Sequence, residues 1–324
     1  MKAVICKVWG TPESLVIEER PPLVAEPGKV VVSVKAASVK FADTLIIQNK
    51  YQTKTDLPFT PGSEVAGVIK SVGASVEGWK VGDRVNAQTG YGGYAEEVLA
   101  EADRLSAIPD AMDFASATGL MSAYGTSYHA LVDRGQLRAG ETLLVLGASG
   151  GVGLAAVQIG KALGAKVIAC ASSAEKLAVC RANGADETIN YDSEDMRARV
   201  KAITQGNGID VVYDAVGGAY SELALRDMAW GGRFLVIGFA AGDIPKIALN
   251  LPLIKGCSIV GVWIGAFAKR EKARHRANAN ELWKWFAEGR LKPYASTEFP
   301  LDKVSDALNA LIKRKVAGKV VLTV

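Results

Sequence analysis

Leu143-Leu144-Val145-Leu146 runs directly into Gly147-Ala148-Ser149-Gly150-Gly151-Val152-Gly153, and Leu154-Ala155-Ala156-Val157-Gln158-Ile159-Gly160-Lys161-Ala162-Leu163-Gly164 follows without a break. The first run is short, wholly apolar and stopped by glycine, as a buried strand is. The last run has helix-forming residues and ends on glycine. A tight glycine turn between a strand and a helix is the context that gives a dinucleotide fingerprint its meaning. Gly150 lets the backbone approach a diphosphate, and Gly153 lets the helix lie close to the strand. The helix N-terminus adds free N–H groups and partial positive charge. Ala148 replaces the usual first glycine. This reading gives Ala148, Gly150, Gly151 and Val152 to cofactor phosphates; the alternative is a purely structural turn.

Outward from this turn, strand-like and helical stretches alternate. Strands are expected at Leu143–Leu146, Val167–Ala171, Glu187–Asn190, Val211–Asp214, Phe234–Gly238 and Ser258–Trp263, with helices at 152–164 and 174–183. Such alternation predicts a parallel sheet with helices on both faces, and six strands match the doubly wound Rossmann arrangement. Ligands of that fold lie at strand C-termini, so Val216, Gly238, Phe239, Ala240, Val262 and Trp263 join the candidate cofactor residues. Residues 1–122 read differently. Short β-branched runs such as 30–36 and 64–72 are punctuated by Glu26-Pro27-Gly28, Thr60-Pro61-Gly62 and Gly90-Tyr91-Gly92-Gly93, which predicts a small, mostly antiparallel barrel. Beyond 266, amphipathic helices near Glu281–Glu288 and Lys303–Lys313 lead to a strand at Lys319–Val324. The expected domains are 1–122 with 266–324, and 123–265.

The second strand of the alternating region points to one form of the cofactor. About 20 residues past the turn, NAD enzymes place an acid on the ribose hydroxyls. Here stand Ser172 and Ser173, with Lys176 one helical turn on. Hydroxyls and an ammonium suit a 2′-phosphate, hence NADPH. Glu175 counts against this unless it faces solvent, and Lys176 taken alone is equally an ordinary surface lysine.

Composition narrows the class. The 324 residues are 49% hydrophobic and 22% charged with net charge +4, a globular balance with room for two domains. The basic run Lys269–Arg276 is broken by Glu271 and reads as a solvated helix face, so no nucleic-acid partner is expected. Cys6, Cys170, Cys180 and Cys257 form no Cys-x-x-Cys pair, which argues against a disulfide framework or a cysteine zinc site. No signal peptide or membrane span is expected, and cytoplasm is the default.

The turn, Gln158 and Lys161, together with Phe41-Ala42-Asp43, residues 57–67, Val81-Gly82-Asp83-Arg84-Val85, Gly92-Gly93-Tyr94-Ala95-Glu96, Thr126–Leu131 and Ala317–Leu322, resemble the quinone oxidoreductase (zeta-crystallin) branch of the medium-chain dehydrogenase/reductase superfamily. The resemblance covers the whole chain and implies an α/β fold: a GroES-like β-barrel catalytic domain plus the Rossmann sheet. Zinc dehydrogenases of the superfamily carry a cysteine and a Gly-His-Glu where this chain has Lys40 and Gly62-Ser63-Glu64. Lysine and serine are poor zinc ligands, so no metal is expected. Without a Lewis acid, the implied reaction is hydride delivery to an electron-poor quinone or enone.

The resemblance also assigns residues. It lines the substrate end with the 38–51 loop, where Lys40 replaces the family's asparagine. Lys40 either donates to an oxyanion or turns outward. Tyr51 either gives a proton to the enolate or quinol oxygen or simply packs. Thr126 matches a threonine near the nicotinamide, Tyr191 a residue by the adenosine, and Lys319 a lysine reaching the cofactor. Relatives pair their sixth strands edge to edge, which implies a homodimer. Two readings compete with quinone or enone reduction. One is an enoyl-thioester reductase whose anion groove uses the 269–276 run. The other is an NADPH-binding protein without turnover.

Overall fold

The computed structural model describes residues 1–324, with side chains at every position except 295 and 296. The chain forms two compact units, Met1–Leu120 with Pro293–Val324, and Met121–Lys292.

The first unit is built on strands. In chain order it runs β1 (Lys2–Ile5), β2 (Val16–Glu19), β3 (Lys29–Val39), α1 (Phe41–Ile46), β4 (Glu64–Val72), β5 (Arg84–Gln88), β6 (Glu97–Glu101), β7 (Leu105–Ala107) and α2 (Phe114–Ala117). The eleven-residue β3 is the hub, pairing antiparallel with both β4 and β6. Its β-branched run Val30-Val31-Val32 is wholly buried, as such residues favour on a two-sided pleated surface.

The second unit begins within α3 (Leu120–Tyr128), which continues as a π-helical segment, His129–Arg134. There follow β8 (Thr142–Leu146), α4 (Gly151–Ala162), β9 (Lys166–Ala171), α5 (Ala174–Ala182), β10 (Glu187–Asn190), α6 (Met196–Ile203), β11 (Ile209–Asp214), α7 (Ala219–Arg226), β12 (Met228–Val236), α8 (Asn250–Lys255), β13 (Ser258–Gly261), α9 (Ile264–Arg270) and α10 (Lys272–Ala287). The sheet order is β10-β9-β8-β11-β12-β13 and every pairing is parallel. This is the doubly wound order, reversing between β8 and β11. Leu143 to Leu146 on β8 have no exposed surface, in keeping with a central strand covered on both faces.

The chain then returns to the first unit as β14 (Ala295–Pro300), α11 (Val304–Ile312) and β15 (Lys319–Thr323). β15 lies antiparallel to β3 and parallel to β14.

Several details depart from expectation. The unit boundaries fall after 120 and 292, so 266–292 sits with the second unit. The cause is a set of side-chain ties: the His129 ring stacks on Phe267 at 3.8 Å, Phe286 and Trp285 pack edge-on to Tyr124 and Tyr128, and Arg274 and Asn278 bind the Asp133 carboxylate. The fifth strand starts at Met228 and stops at Val236, because the N–H groups of Ile237 and Gly238 both turn to the carbonyl of Asp214. The sixth stops at Gly261, and Trp263 caps α9. The expected helix at Glu281–Glu288 is the end of the longer α10. Helices α6 and α7 were not anticipated.

Candidate active site

The glycine turn is held from several sides. Gly147 takes φ +71°, Ala148 N–H bonds the carbonyl of Cys170 at 3.0 Å, and Gly150 N–H bonds that of Gly147 at 3.1 Å. The Ser127 hydroxyl donates to the carbonyl of Val152 and meets the Tyr213 hydroxyl, each at 2.8 Å. Gly150 caps α4, whose first internal bond runs from Leu154 N–H to the Gly150 carbonyl. The N–H groups of Gly151, Val152 and Gly153 therefore have no intrahelical acceptor. A Cβ on Gly153 would stand 2.2 Å from the Gly147 carbonyl oxygen, whereas one on Gly150 would meet nothing nearer than 3.5 Å. Gly153 thus serves internal packing, and the bare face of Gly150 opens beside three N–H donors. That is the cradle a diphosphate needs.

At the C-terminal end of β9, Ser172, Ser173 and Lys176 come together. Lys176 Nζ donates to Ser172 Oγ at 3.2 Å, and Ser173 Oγ caps α5 by accepting the Lys176 N–H at 3.4 Å. Glu175, the acid of this cluster, takes a hydrogen bond from the Ser173 side chain that holds its carboxyl below the usual range. Beyond β10, the Tyr191 ring lies 4.4 Å from that of Tyr220, whose hydroxyl donates to Asp192 at 3.0 Å. Tyr220 was not foreseen from sequence.

The other candidates are more committed than expected. Val216 N–H donates to Asp214 Oδ1, Gly238 N–H to the Asp214 carbonyl, Ala240 N–H to that of Ala215 and Val262 N–H to that of Val236. These positions keep carbonyls and surface, not amide donors, for a ligand. Thr126 Oγ1 donates back to the Ser122 carbonyl within α3 at 2.6 Å. Phe239 is partly buried and packs at Gly217, while Trp263 is 56% exposed. Lys319 departs furthest from its expected role. Its Nζ donates to the carbonyls of Ala115, Ser116 and Thr118 at 2.8, 2.6 and 2.7 Å. Three N–H donors on three carbonyls make it the cap of α2, not a group reaching for a cofactor. Burial pulls its pKa down to about 8 despite nearby Glu64, Asp113 and Glu298.

Lys40 begins α1 and turns inward. Its Nζ donates to Ser63 Oγ at 2.8 Å and stands 3.7 Å from Glu64 Oε2. Glu64 has no exposed surface, and its Oε1 accepts from Asn86 Nδ2 at 2.8 Å. Asn86 also donates to the Ala117 carbonyl. On the other side of Lys40, Asp43 Oδ2 accepts the Lys40 backbone N–H at 2.8 Å and the Tyr94 hydroxyl at 2.7 Å. Burial pushes the Asp43 carboxyl up, opposed by Lys40 and Tyr94. Tyr51 is partly buried; burial, then the charge of Asp43 and Tyr91, raise its phenol. Tyr91 is raised by burial and Asp43. Both phenols therefore remain protonated donors near neutrality. Among the described residues, no three His, Cys, Asp or Glu side chains gather as metal donors.

Asp43, Glu64 and Tyr91 were not singled out from sequence as part of this cluster. Glu64 carried a visible signal, a carboxylate heading the apolar run Val65-Ala66-Gly67-Val68-Ile69. Tyr91 sat unmarked among turn glycines.

Two family models match the chain: the alcohol dehydrogenase GroES-like domain over 26–110 and the zinc-binding dehydrogenase over 151–285. The quinone oxidoreductase-like protein 2 homolog of Nematostella vectensis is 39% identical over 99% of this chain and 88% of its own length. The human quinone oxidoreductase is 34% identical over 99% and 97%. The chain belongs to the quinone oxidoreductase branch of the medium-chain dehydrogenase/reductase superfamily. It is a quinone oxidoreductase-like enzyme. Its fold matches the Escherichia coli quinone oxidoreductase crystallised with NADPH at a TM-score of 0.92, with 29% identity and all of both chains covered. No helix among the described residues is long and apolar enough to cross a membrane.

Proposed function

We propose that this enzyme uses NADPH to reduce quinones or related α,β-unsaturated carbonyl compounds without a metal ion. The observation that carries the proposal is the Lys40 ammonium, drawn inward onto Ser63 and Glu64. A cation held where negative charge grows on an acceptor oxygen favours that charge without a Lewis acid. The donors at these positions, an ammonium and a hydroxyl, suit no divalent metal.

When bound, NADPH supplies the hydride. The N–H groups of Gly151, Val152 and Gly153 bind its diphosphate. Ser172, Ser173 and Lys176 bind the 2′-phosphate, and Tyr191 and Tyr220 flank the adenosine. Lys40 and Tyr51 offer hydrogen bonds and a proton to the acceptor oxygen. The relatives named quinone oxidoreductases and the neighbour crystallised with NADPH support this reading.

NADPH oxidation followed with a panel of quinones and enones, and with crotonyl and acryloyl thioesters, tests it. Turnover of quinones that survives exhaustive chelation is the expected result. Preference for the thioesters overturns the acceptor class, and loss of turnover on chelation overturns the metal-free route.

The enzyme is proposed to work as a homodimer. β13 is one of the two edges of its sheet, and Ile259 on it is exposed, as are Trp230, Leu253 and Ile254. An apolar open edge is a liability unless covered. Light scattering after size exclusion is expected to give twice the chain mass; a monomer at micromolar concentration refutes this.

A further inference from the structure

Lys40 and Ser63 are the half-buried members of a polar chain whose other members, Glu64 and Asn86, are buried in the first unit. Lys40 Nζ is bonded to Ser63 Oγ and stands 3.7 Å from a carboxylate with no exposed surface. The far oxygen of that carboxylate is pinned by Asn86, itself fixed on the Ala117 carbonyl. Glu64 is therefore held beside Lys40 and closed off from solvent. A buried carboxylate within about 4–6 Å of an amine favours the charged form of that amine. The remaining charged and titratable groups around this chain are Asp43 on α1, with Tyr51, Tyr91 and Tyr94 facing it, and Lys319 on β15, which faces Glu64.

We infer that Glu64 is a positioning residue: with Asn86 behind it, it keeps the Lys40 side chain an inward-held ammonium, the form that donates to the acceptor oxygen. This rests on the reading that Lys40 is the donor. In the step it serves, a hydride adds to the acceptor carbon and the displaced electron pair moves to the carbonyl oxygen. A Lys40 N–H proton follows onto that oxygen, and the neutral amine takes a proton back from solvent, to which the Lys40 side chain is partly open. Removing the negative charge of Glu64 favours the neutral amine, so Lys40 would lose its proton at lower pH.

Two readouts test this. In the protein without cofactor, Lys40 is labelled with acetic anhydride across a pH series and the modified peptide is quantified by mass spectrometry. Only the neutral amine reacts, so Glu64→Gln is expected to raise the labelling rate at a fixed neutral pH about tenfold or more, the effect of a shift of one unit. In turnover, the alkaline limb of kcat/KM for the quinone is expected to move by about one unit or more to lower pH. Glu64→Asp, which keeps the charge one methylene further off, is expected to move both readouts the same way by less. It carries the test alone if the Gln variant does not fold. Unchanged labelling in both variants overturns the inference. Lys40→Arg separates this from the reading beneath it, because a guanidinium does not titrate in the accessible range. If Lys40→Arg leaves the alkaline limb where it was, Lys40 is not the donor. If it abolishes the limb while Glu64→Gln leaves labelling and limb unmoved, Lys40 donates and Glu64 does not position it.

Discussion

Replacing Gly153 and Gly150 by alanine, one at a time, separates the two tasks of the glycine turn. A Cβ on Gly153 would lie 2.2 Å from the Gly147 carbonyl oxygen and under 3 Å from two backbone atoms of Ala148, where ordinary contact begins at 3.4 Å. The first turn of α4 must therefore retreat by about 1 Å, since none of these atoms is the end of a flexible side chain. Overpacking of this kind costs about 1–3 kcal/mol. For a unit of this size that corresponds to a fall in Tm of roughly 2–10 °C. The same retreat carries the N–H groups of Gly151 and Val152 away from the diphosphate. Charge-assisted hydrogen bonds of about 1.5–3 kcal/mol are then weakened, for a loss of roughly tenfold to a hundredfold in NADPH affinity. Gly150 behaves otherwise. Its backbone is extended, at φ −78° and ψ 168°, and its Cβ would meet only the Gly147 carbonyl oxygen, at 3.5 Å. Gly150→Ala should unfold within about 1 °C of wild type yet bind NADPH at least roughly tenfold more weakly, because the methyl fills the open face of the cradle. Thermal unfolding without cofactor and titration of NADPH by fluorescence measure the two effects. If Gly150→Ala destabilises as much as Gly153→Ala, or binds NADPH normally, the division of labour between the two glycines is wrong.

Ser172→Asp sets a carboxylate beside the place taken by the 2′-phosphate and should lower the NADPH-over-NADH ratio of kcat/KM by roughly tenfold to a hundredfold; an unchanged ratio refutes the assignment of this cluster. Lys319→Met leaves three carbonyls at the end of α2 without their donor, for a loss of about 1–3 kcal/mol in unfolding free energy. Because the folded pKa of Lys319 is about 8, below its ordinary value, the unfolded chain binds a proton that the native one lacks as pH rises from there towards 10.5. The advantage of wild type over Lys319→Met should therefore grow across that window, by at most about 1.4 kcal/mol per unit, and a shrinking gap in denaturant unfolding would contradict it.

The alternating half of the fold was legible because its signals are local. Four consecutive apolar residues at 143–146 must be buried on both faces, and a glycine turn before a helix has few other uses. The helices at 196–203 and 219–226 are faint in the sequence because their apolar positions are few. The C-terminal strand was expected to rejoin the first domain and does so, as β15 beside β3. The assignment of 266–292 differed because the stacking of Phe267 on His129 and the edge-on packing of Trp285 against Tyr128 join residues far apart in sequence. No window of a single chain displays such partners.

The candidate site divides along the same line. Ser172, Ser173 and Lys176 lie within five residues, so their convergence needs only a helix N-terminus. Lys319 and Lys40 are both lysines in regions shared with relatives, and the family pattern offered each a ligand to touch. What separates them is the supply of acceptors. Lys319 faces three carbonyls that a short helix leaves open, and they take all of its donors. Lys40 meets one hydroxyl and, at 3.7 Å, one buried carboxylate. A lysine whose protons are all taken by backbone carbonyls is a structural cap. A lysine held by one hydroxyl beside a pinned carboxylate keeps donors to spare and a fixed direction, which is what the proposed role at an acceptor oxygen gathering negative charge requires.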